Sequence, residues 1–469
     1  MAGRRKENEA GSSNKLRGDV LRVLGVLKVA TADQIQRICS PHLTYRHTDK
    51  DTPSERKTAR TASHGGALSD LRAHGLAEDG GKTSTGETLR NLTAKGLEAA
   101  AYALGRPERE MGSAARGAGA TGAAHPMSVN ETVIALLRPK PDLALLTDEP
   151  AEARAAAQAA VEAPAGVGTI DSFATEVVLP FAGTWTTPGR AAVHADIVLT
   201  APEDGIPLLF IEVDNCHESP QKIAAKFHGY QRFFQRTVKD TDGHQRPMWR
   251  TRWWTPEHWH GDEEPHPPVL LVFNRIGKRN PDLVMRKVAE LTSHIWQGQA
   301  HRAGHHTYDG SIPIVATGLN LLREHGPAGL AFQRIGRPDF QSLTDAIGNP
   351  RREAAVARAR AAEARAEAQR TAGREARRPS CADCEVAFTD ERWHESELTG
   401  WGKDDYPHLC AACKRQAVTA DELEHEQQRA REVDSEEARA LEELHRQADQ
   451  EAEAHRKARR FPFPWRPHP

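Results

Sequence analysis

The stretch LLFIEVDN, residues 208–215, is an apolar run that ends in two acidic side chains. Burying a carboxylate is costly unless a metal ion or a polar partner compensates for the lost water. Side chains alternate between the two faces of a strand, so Glu212 and Asp214 are expected to share one face. The stretch therefore predicts a buried sheet strand with a polar site at its carboxyl end.

The composition indicates several folded domains joined by solvated segments. The chain has 469 residues, of which 38% are hydrophobic and 27% are charged; this length is enough for two or three domains. The formal net charge is −2, so a surface for nucleic acid has to be local. In residues 1–75, 14 Lys and Arg outnumber 8 Asp and Glu. The sequence has no secretory signal and no apolar run that could span a membrane, which predicts a cytoplasmic protein.

The order of the elements predicts an α+β multidomain protein. Residues 126–345 are expected to form a mixed α/β domain with the order α, β, β, β, α, β, α, β. A Gly, Ala and Ser-rich segment precedes it, and strongly charged helical sequences follow it. The other expected segments are a disordered start (1–15), a winged helix-turn-helix (16–105), a flexible linker (106–125), a charged helix (350–380), a zinc ribbon (381–413), a second charged helix (418–460) and a Pro-rich tail (461–469).

The first folded segment is predicted to bind duplex DNA. Apolar residues recur at helical spacing in residues 16–30, Thr31 is a helix N-cap, and a third helix is expected over 65–74. A turn-rich hairpin and a closing helix follow, and this arrangement resembles a winged helix-turn-helix. The third helix would enter the major groove; the alternative is a small helical bundle without DNA contact. The expected cationic contacts are Arg56, Lys57, Arg60, Arg72 and Lys82.

A second candidate surface for nucleic acid lies in MWRTRWWTPEHW, residues 248–259. Arg250 and Arg252 alternate there with tryptophans, and arginines can neutralise phosphates while tryptophans stack on unpaired bases. The alternative is that the aromatic side chains pack a long loop onto the sheet. Single-stranded DNA is therefore a second candidate partner.

Acidic residues on neighbouring strands predict a metal site. Asp196 lies on the strand before residues 208–215, and an antiparallel pairing would place it beside Glu212 and Asp214. Glu176, on the preceding strand, could add a further ligand. Clustered carboxylates repel one another unless a cation such as Mg²⁺ or Mn²⁺ is bound. The alternative is that Glu212 and Asp214 cap the next helix or pair with a basic residue.

The acidic pattern resembles the PD-(D/E)xK nuclease superfamily. The resemblance implies that Asp196 and Glu212 hold Mg²⁺, but Asp214 occupies the position of the catalytic lysine. In some members of that superfamily the lysine comes from the following helix. Lys226 is the candidate for this role, and Lys222 is the alternative.

A second resemblance covers most of residues 16–345. The segment that begins at His125 and reaches Asn130, the motif IEVDNCHES (211–219), Lys226 and Tyr230 are similar to the replication-relaxation family of plasmids and integrating elements. The resemblance implies a DNA-binding role in replication, relaxation or transfer, alongside replication or transfer proteins. It leaves two hypotheses open: a metal-dependent DNA endonuclease, or a factor without enzymatic activity whose nuclease-like domain is degenerate.

A relaxase with a tyrosine nucleophile is a competing hypothesis. His258 and His260 form a His-hydrophobic-His pair of the kind that can bind a metal, with Tyr230 or Tyr308 as the nucleophile. The pair lies in a loop by composition, whereas such a metal pair needs a rigid strand.

Four cysteines predict a structural zinc site. Cys381 and Cys384 form one CxxC pair, and Cys410 and Cys413 form the other. Two such pairs supply the four thiolates of a tetrahedral zinc site. His394 and His408 are substitute ligands, and Cys39 and Cys216 are expected to be buried free thiols.

Overall fold

In a computed structural model of the protein, the chain folds into two compact units that divide between Ala357 and Arg358. No helix in the described part of the chain is long and apolar enough to cross a membrane. The structure describes residues 8–112, 123–185, 187, 192–239, 242–255, 265–398 and 402–458.

The described N-terminal part of the first unit combines helices with a small antiparallel sheet of order β1–β3–β2. Thr31 caps α2 in a capping box with Gln34, as the sequence indicated. The elements are α1 (Asn14–Leu27), β1 (Val29–Thr31), α2 (Ala32–Cys39), α3 (Pro53–Ala73), β2 (Ala77–Lys82), β3 (Thr88–Leu92) and α4 (Ala94–Leu104).

Helix α3 is longer than the sequence suggested. It has 21 residues instead of the ten expected over 65–74. The side chains and backbones of Thr52 and Glu55 form a capping box, and Pro53 occupies the first helical turn. These features start a helix at a polar sequence that has no apolar periodicity. The polar segment before residue 65 is therefore part of α3 and extends its surface.

The central sheet has seven strands in the order β14–β13–β12–β9–β6–β5–β4. β6 pairs in parallel with β9, and β9 pairs in parallel with β12, whereas the outer neighbours are antiparallel. The prediction of a mixed α+β fold is confirmed. Two short pairs, β7 with β8 and β10 with β11, lie outside the seven-stranded sheet. In chain order the strands of this part are β4 (Phe173–Pro180), β5 (Ala192–Ala201), β6 (Ile206–Asp214), β7 (Thr237–Lys239), β8 (Gln245–Pro247), β9 (Val269–Phe273), β10 (Gln299–Ala300), β11 (His306–Thr307), β12 (Ile314–Gly318), β13 (Phe332–Arg334) and β14 (Phe340–Gln341).

The described helices of this part cover the sheet on both faces. Helix α7 begins after Ser219, whose side chain caps it, as the sequence predicted. Phe227, Tyr230 and Phe234 pack from α7 against one face of the sheet. The helices are α5 (Ala124–Leu137), α6 (Ala151–Glu162), α7 (Pro220–Gln235), α8 (Pro281–Leu291), α9 (Ser293–Trp296), α10 (Leu319–His325) and α11 (Leu343–Ile347).

Strand β6, which contains the stretch LLFIEVD, is an interior strand of this sheet and lies between β9 and β5. All nine of its residues are buried. Asp214 is in register with Phe273 at the end of β9, which is in register with Gly318 at the end of β12. The carboxyl ends of three parallel strands therefore meet at one edge, where ligands commonly bind in such sheets.

The N-terminal helices share a continuous core with the central sheet. The hydroxyl of Thr175 in β4 donates to the carbonyl of Val26 at 2.6 Å in a buried position. The amide of Asn130 in α5 donates to the carbonyl of Val29 at 2.8 Å. Apolar residues of α1, α3 and α4 belong to the same buried cluster as those of β5 and β6. The two parts are thus joined by buried contacts as well as by the chain.

The second unit contains charged helices around a small core of Phe388, Trp393 and Leu409. The structure starts the last helix at Ala411, inside the second cysteine pair, so it is longer than the predicted 418–460 segment at its start. The described side chains of residues 421–457 are all exposed. The helices are α12 (Pro350–Glu375), which begins in the first unit, α13 (Asp390–Ser396) and α14 (Ala411–Ala458).

Candidate functional site

Asp196 occupies the centre of an acidic site where β5 separates from β6. Its carboxylate is 8% exposed and has two protein partners. Oδ1 lies 3.1 Å from Nε2 of His125 in the first turn of α5, and Oδ2 accepts the backbone N–H of Val213 at 2.7 Å. The hydrogen bond to Asp196 raises the pKa of His125. The imidazole is therefore biased toward its protonated form at this site.

Glu176 completes a group with His125 and Asp196. The pairs Thr175–Ile197 and Val177–Ala195 flank it in the β4–β5 ladder, so Glu176 stands opposite Asp196. One ligand atom from each of the three residues lies within 4.8 Å of the other two. Burial and the charge of Asp196 raise the pKa of Glu176. The backbone of Glu176 adopts a left-handed conformation, with φ of 55°.

Glu212 binds two side chains of α7. Lys226 Nζ donates to Oε2 at 2.8 Å, and the hydroxyl of Tyr230 donates to Oε1 at 2.6 Å. Burial, followed by the charge of Asp196, raises the pKa of Glu212 to about 7. Although burial opposes the charged amine, Glu212 and Asp196 hold the pKa of Lys226 above its ordinary value. Lys226 thus counters the acidic charge of this site.

Asp214 is turned toward the loop after β6. Its Oδ1 accepts the backbone N–H groups of His217 and Glu218 at 3.2 and 3.3 Å. Both N–H groups belong to the loop before α7, and Ser219 caps that helix, so the alternative that Asp214 caps it is wrong. Lys222 is also directed away from the acids, because it pairs with Glu218 at 2.8 Å and its side chain is 67% exposed. Of the two lysines considered for the site, the structure brings Lys226 to it.

His125 is only the first residue of a sequence motif, and the sequence alone did not place it in the acidic site. His125 and Asp196 are 71 positions apart along the chain, and no rule of sequence spacing connects them. The signal that could have identified His125 is its place in the first turn of a helix whose next turns are buried against β6.

The four cysteines of the second unit form one cluster. A ligand atom of each lies within 4.8 Å of the others. The backbone N–H of Cys410 donates to Cys381 Sγ at 3.2 Å, and that of Cys413 donates to Cys410 Sγ at 3.4 Å. Backbone hydrogen bonds to Cys381 Sγ lower the pKa of this thiol to about 6, and the bond from the Cys410 N–H is the largest cause. The donor set suits a structural zinc ion.

A comparison with known families finds a match within the first unit. The match to the family described as replication-relaxation runs from residue 21 to residue 246. These residues, here named the replication-relaxation segment, make up just under half of the 469-residue chain. No curated protein and no solved structure matches the chain.

The replication-relaxation segment includes the whole acidic site and excludes the cysteine cluster. It runs from α1 into β8 and contains His125, Glu176, Asp196, Glu212 and Lys226.

Most of the cations predicted to contact DNA in the replication-relaxation segment are in ion pairs. Lys57 pairs with Glu87 at 2.5 Å, and Arg72 pairs with Asp79 at 3.0 Å. Arg60 pairs with Asp33. The remaining two predicted contacts are Arg56, a half-buried residue of α3, and Lys82, an exposed residue of β2.

The arginines of residues 248–255 lie on aromatic rings. The guanidinium carbon of Arg250 is 4.5 Å from the centre of the Trp249 ring, and that of Arg252 is 5.1 Å from the centre of the Trp253 ring. Trp249 is 5% exposed, whereas Trp254 is 75% exposed. These contacts favour the packing interpretation for Trp249 and leave Trp254 accessible.

The described residues give no geometric support to the tyrosine-nucleophile hypothesis. His258 and His260 lie outside the described residues. The hydroxyl of Tyr230 is bound to Glu212, and burial raises the pKa of Tyr230 well above its ordinary value. The ring of Tyr308 lies under Arg334 at 4.1 Å. Neither described tyrosine is thereby favoured as a nucleophile.

The two remaining cysteines are free thiols. Cys216 is buried, and Cys39 is half-buried in the helical N-terminal part. Burial raises the pKa of Cys39 to about 12, which makes its thiol unreactive at neutral pH.

Proposed function

We propose that this protein is a DNA-binding protein of a plasmid or integrating element that nicks DNA during replication, relaxation or transfer. The observation that carries the proposal is the Lys226–Glu212 pair beside the group His125, Glu176 and Asp196. It combines carboxylate ligands for a metal ion with an ammonium group that is placed to offset the charge of a phosphate.

The donor set fits a divalent cation. Glu176 and Asp196 would supply carboxylate oxygens, and His125 would supply an imidazole nitrogen after losing its proton. Carboxylates suit Mg²⁺ and Mn²⁺, and the added imidazole favours Mn²⁺ over Mg²⁺. When bound, such an ion supplies a polarised phosphoryl oxygen and a more acidic water molecule.

The protein side chains then have distinct roles. Lys226 is placed to offset the charge of the phosphate that approaches the acids. Glu212, with a pKa of about 7, can exchange a proton near neutral pH. Tyr230 is a positioning residue, because its hydroxyl fixes the carboxylate of Glu212 from the buried side.

Duplex binding is proposed for residues 16–105 as a winged helix-turn-helix. Helix α3 would lie in the major groove, and the β2–β3 hairpin would lie along the backbone. Lys82 is exposed on that hairpin, and Arg56 lies on the part of α3 that precedes residue 65. The cysteine cluster, held by zinc, would fix α13 and the start of α14 as a contact for DNA or for replication and transfer proteins.

A factor without enzymatic activity is the second candidate. The observation in its favour is that the protein itself provides partners for the buried acids: Val213 for Asp196, and Lys226 with Tyr230 for Glu212. A site satisfied in this way can be stable without a metal ion.

Nicking of a supercoiled plasmid that carries the cognate region, with Mg²⁺ or Mn²⁺ added, separates the two candidates. Asp196→Asn and Glu212→Gln should each abolish nicking, whereas Glu203→Gln, an exposed acid on the turn between β5 and β6, should leave it intact. If wild-type protein does not nick, or if all three variants nick as well as the wild type does, the endonuclease proposal is wrong.

A further inference from the structure

A deep cleft lies beside the acidic site on the same edge of the central sheet. It has a volume of about 690 Å³ and lies between the carboxyl ends of β9 and β12 and the start of α8. We name it the β9–β12 cleft; its floor is formed by Phe273 and Ala316. Clefts that bind small ligands have volumes of about 300–1,000 Å³. The size and the position at the ends of parallel strands are those of a ligand site.

The charged residues that line the β9–β12 cleft are two arginines and one acid, Asp282, so its formal charge is +1. Arg275 follows β9 and Arg286 lies on α8, and both line the cleft with exposed side chains. Among the residues that the structure describes, neither makes an ion pair within 4.0 Å, in contrast to Lys57, Arg60 and Arg72. Guanidinium groups without a carboxylate partner are suited to bind phosphate.

The opposite wall of the cleft is apolar. Phe340 of β14 is 49% exposed and Leu321 of α10 is 37% exposed, and both line the cleft. An exposed aromatic ring at the rim of a cleft offers a stacking surface for a planar base. Asn320 and Gln333 add amide groups that can donate to and accept from a base edge.

The cleft extends to the end of β6 through Asn274. This residue lines the cleft, and its backbone N–H donates to the carbonyl of Asp214 at 2.8 Å. Its side chain donates to Asn215 at 3.2 Å. Neighbouring strands are about 4.8 Å apart, so a ligand in the cleft would lie about two strands from Asp214.

We propose that the β9–β12 cleft binds one nucleotide unit, with its phosphate on Arg275 and Arg286 and its base against Phe340. The nucleotide has two sources, a free deoxynucleoside monophosphate or an unpaired nucleotide of a DNA strand. The second source rests on the proposed function, because that strand would then continue toward the acidic site.

Binding is tested by calorimetric titration of the full chain without added divalent cation. The probes are thymidine monophosphate, a short oligothymidylate, thymidine and inorganic phosphate. The nucleotide and the oligonucleotide should bind, and thymidine and phosphate should each bind at least about tenfold more weakly because each reaches one part of the cleft. An oligonucleotide that binds at least about tenfold more tightly than the monophosphate identifies a DNA strand as the source.

Variants connect the binding to the cleft. The double variant Arg275→Gln with Arg286→Gln, and Phe340→Ala alone, should each weaken nucleotide binding about tenfold. Lys287→Gln is the matched control, since Lys287 is an exposed cation of α8 that pairs with Glu290. Leu330→Ala is the apolar control, because Leu330 is 71% exposed and does not line the cleft. Both controls should bind as the wild type does.

Two results would overturn the proposal. One is the absence of binding of any probe to the wild type at millimolar concentration. The other is wild-type binding that the arginine double variant and Phe340→Ala leave unchanged. Asp196→Asn separates this proposal from the nuclease proposal, because it should abolish nicking while nucleotide binding in the cleft is retained.

Discussion

Lys226 and Glu212 form an ion pair, 2.8 Å between Nζ and Oε2, that joins helix α7 to the buried strand β6. The side chain of Glu212 is 3% exposed and that of Lys226 is 28% exposed. The acid is therefore in the interior and the lysine reaches it from the surface. The cation that faces Glu212 therefore comes from the helix that follows β6.

Lys226→Met is expected to reduce both nicking and stability. Glu212 would lose its cation in a buried position, which costs about 1–3 kcal/mol, and its pKa would rise further. Urea unfolding measures the loss. Lys222→Met is the control, since Lys222 is 67% exposed and pairs with Glu218; its effect should be below about 0.5 kcal/mol. Equal effects of the two substitutions would refute the special role of Lys226.

The stability contributed by Glu212 should depend on pH. Its pKa is raised from 4.5 to about 7 in the folded protein, so the unfolded chain loses this proton first. The contribution is fully present below about pH 4.5 and is lost as the pH rises through about 7. The free energy of unfolding of wild type minus that of Glu212→Gln should thus be larger at pH 5 than at pH 8, by on the order of 3 kcal/mol. A difference that does not change with pH would contradict the raised pKa.

Zinc should be required for the second unit only. Metal analysis is expected to find one Zn²⁺ per chain, and a strong chelator or Cys381→Ser should unfold the cluster and expose Trp393. Tryptophan fluorescence and proteolysis after residue 380 would report this change. Stability of the first unit should remain as in the untreated protein. A content well below one zinc per chain would disprove the zinc assignment.

Duplex affinity should depend on the cations that are not already paired. Lys82→Gln is expected to weaken binding across all sequences and to reduce the salt slope by about one. Arg72→Gln should have a smaller effect, because Arg72 pairs with Asp79 at 3.0 Å. Fluorescence anisotropy at several salt concentrations measures both. Equal slopes for Lys82→Gln and the wild type would exclude Lys82 from the interface.

The exposed and buried tryptophans should separate function from folding. Trp249→Ala is expected to cost about 3–5 kcal/mol because the side chain is 5% exposed. Trp254→Ala should leave stability within about 0.5 kcal/mol, since Trp254 is 75% exposed, and should weaken binding of single-stranded DNA. Unchanged single-strand affinity for Trp254→Ala would assign this segment to packing alone.

Local sequence signals were sufficient for much of this fold. The apolar run and its two acids predicted β6, and Ser219 with Pro220 predicted the start of α7. The short strands β13 and β14 were not predicted, because two or three residues are too few to show an alternating pattern. The length of α3 was underestimated because its first part has caps but no apolar stripe.

The candidate site was only partly predictable for a different reason. Asp196 and Glu212 lie on paired strands, whose alternation constrains which face each occupies. His125 approaches Asp196 from a separate helix, so its role depends on tertiary packing. The orientation of Asp214 toward the loop depends on two backbone N–H groups that no sequence pattern specifies.

The buried contacts between the N-terminal helices and the central sheet have a geometric consequence for DNA. Because Thr175 is bonded to Val26 and Asn130 to Val29, α3 and the acidic site keep a constant separation. Under the proposed function, this separation sets the distance along the DNA between the bound sequence and the nick. The nick would fall at one fixed number of base pairs from the bound sequence. If base pairs, about 3.4 Å each, are inserted between the bound sequence and the original nick position, the distance from the bound sequence to the new nick should stay the same.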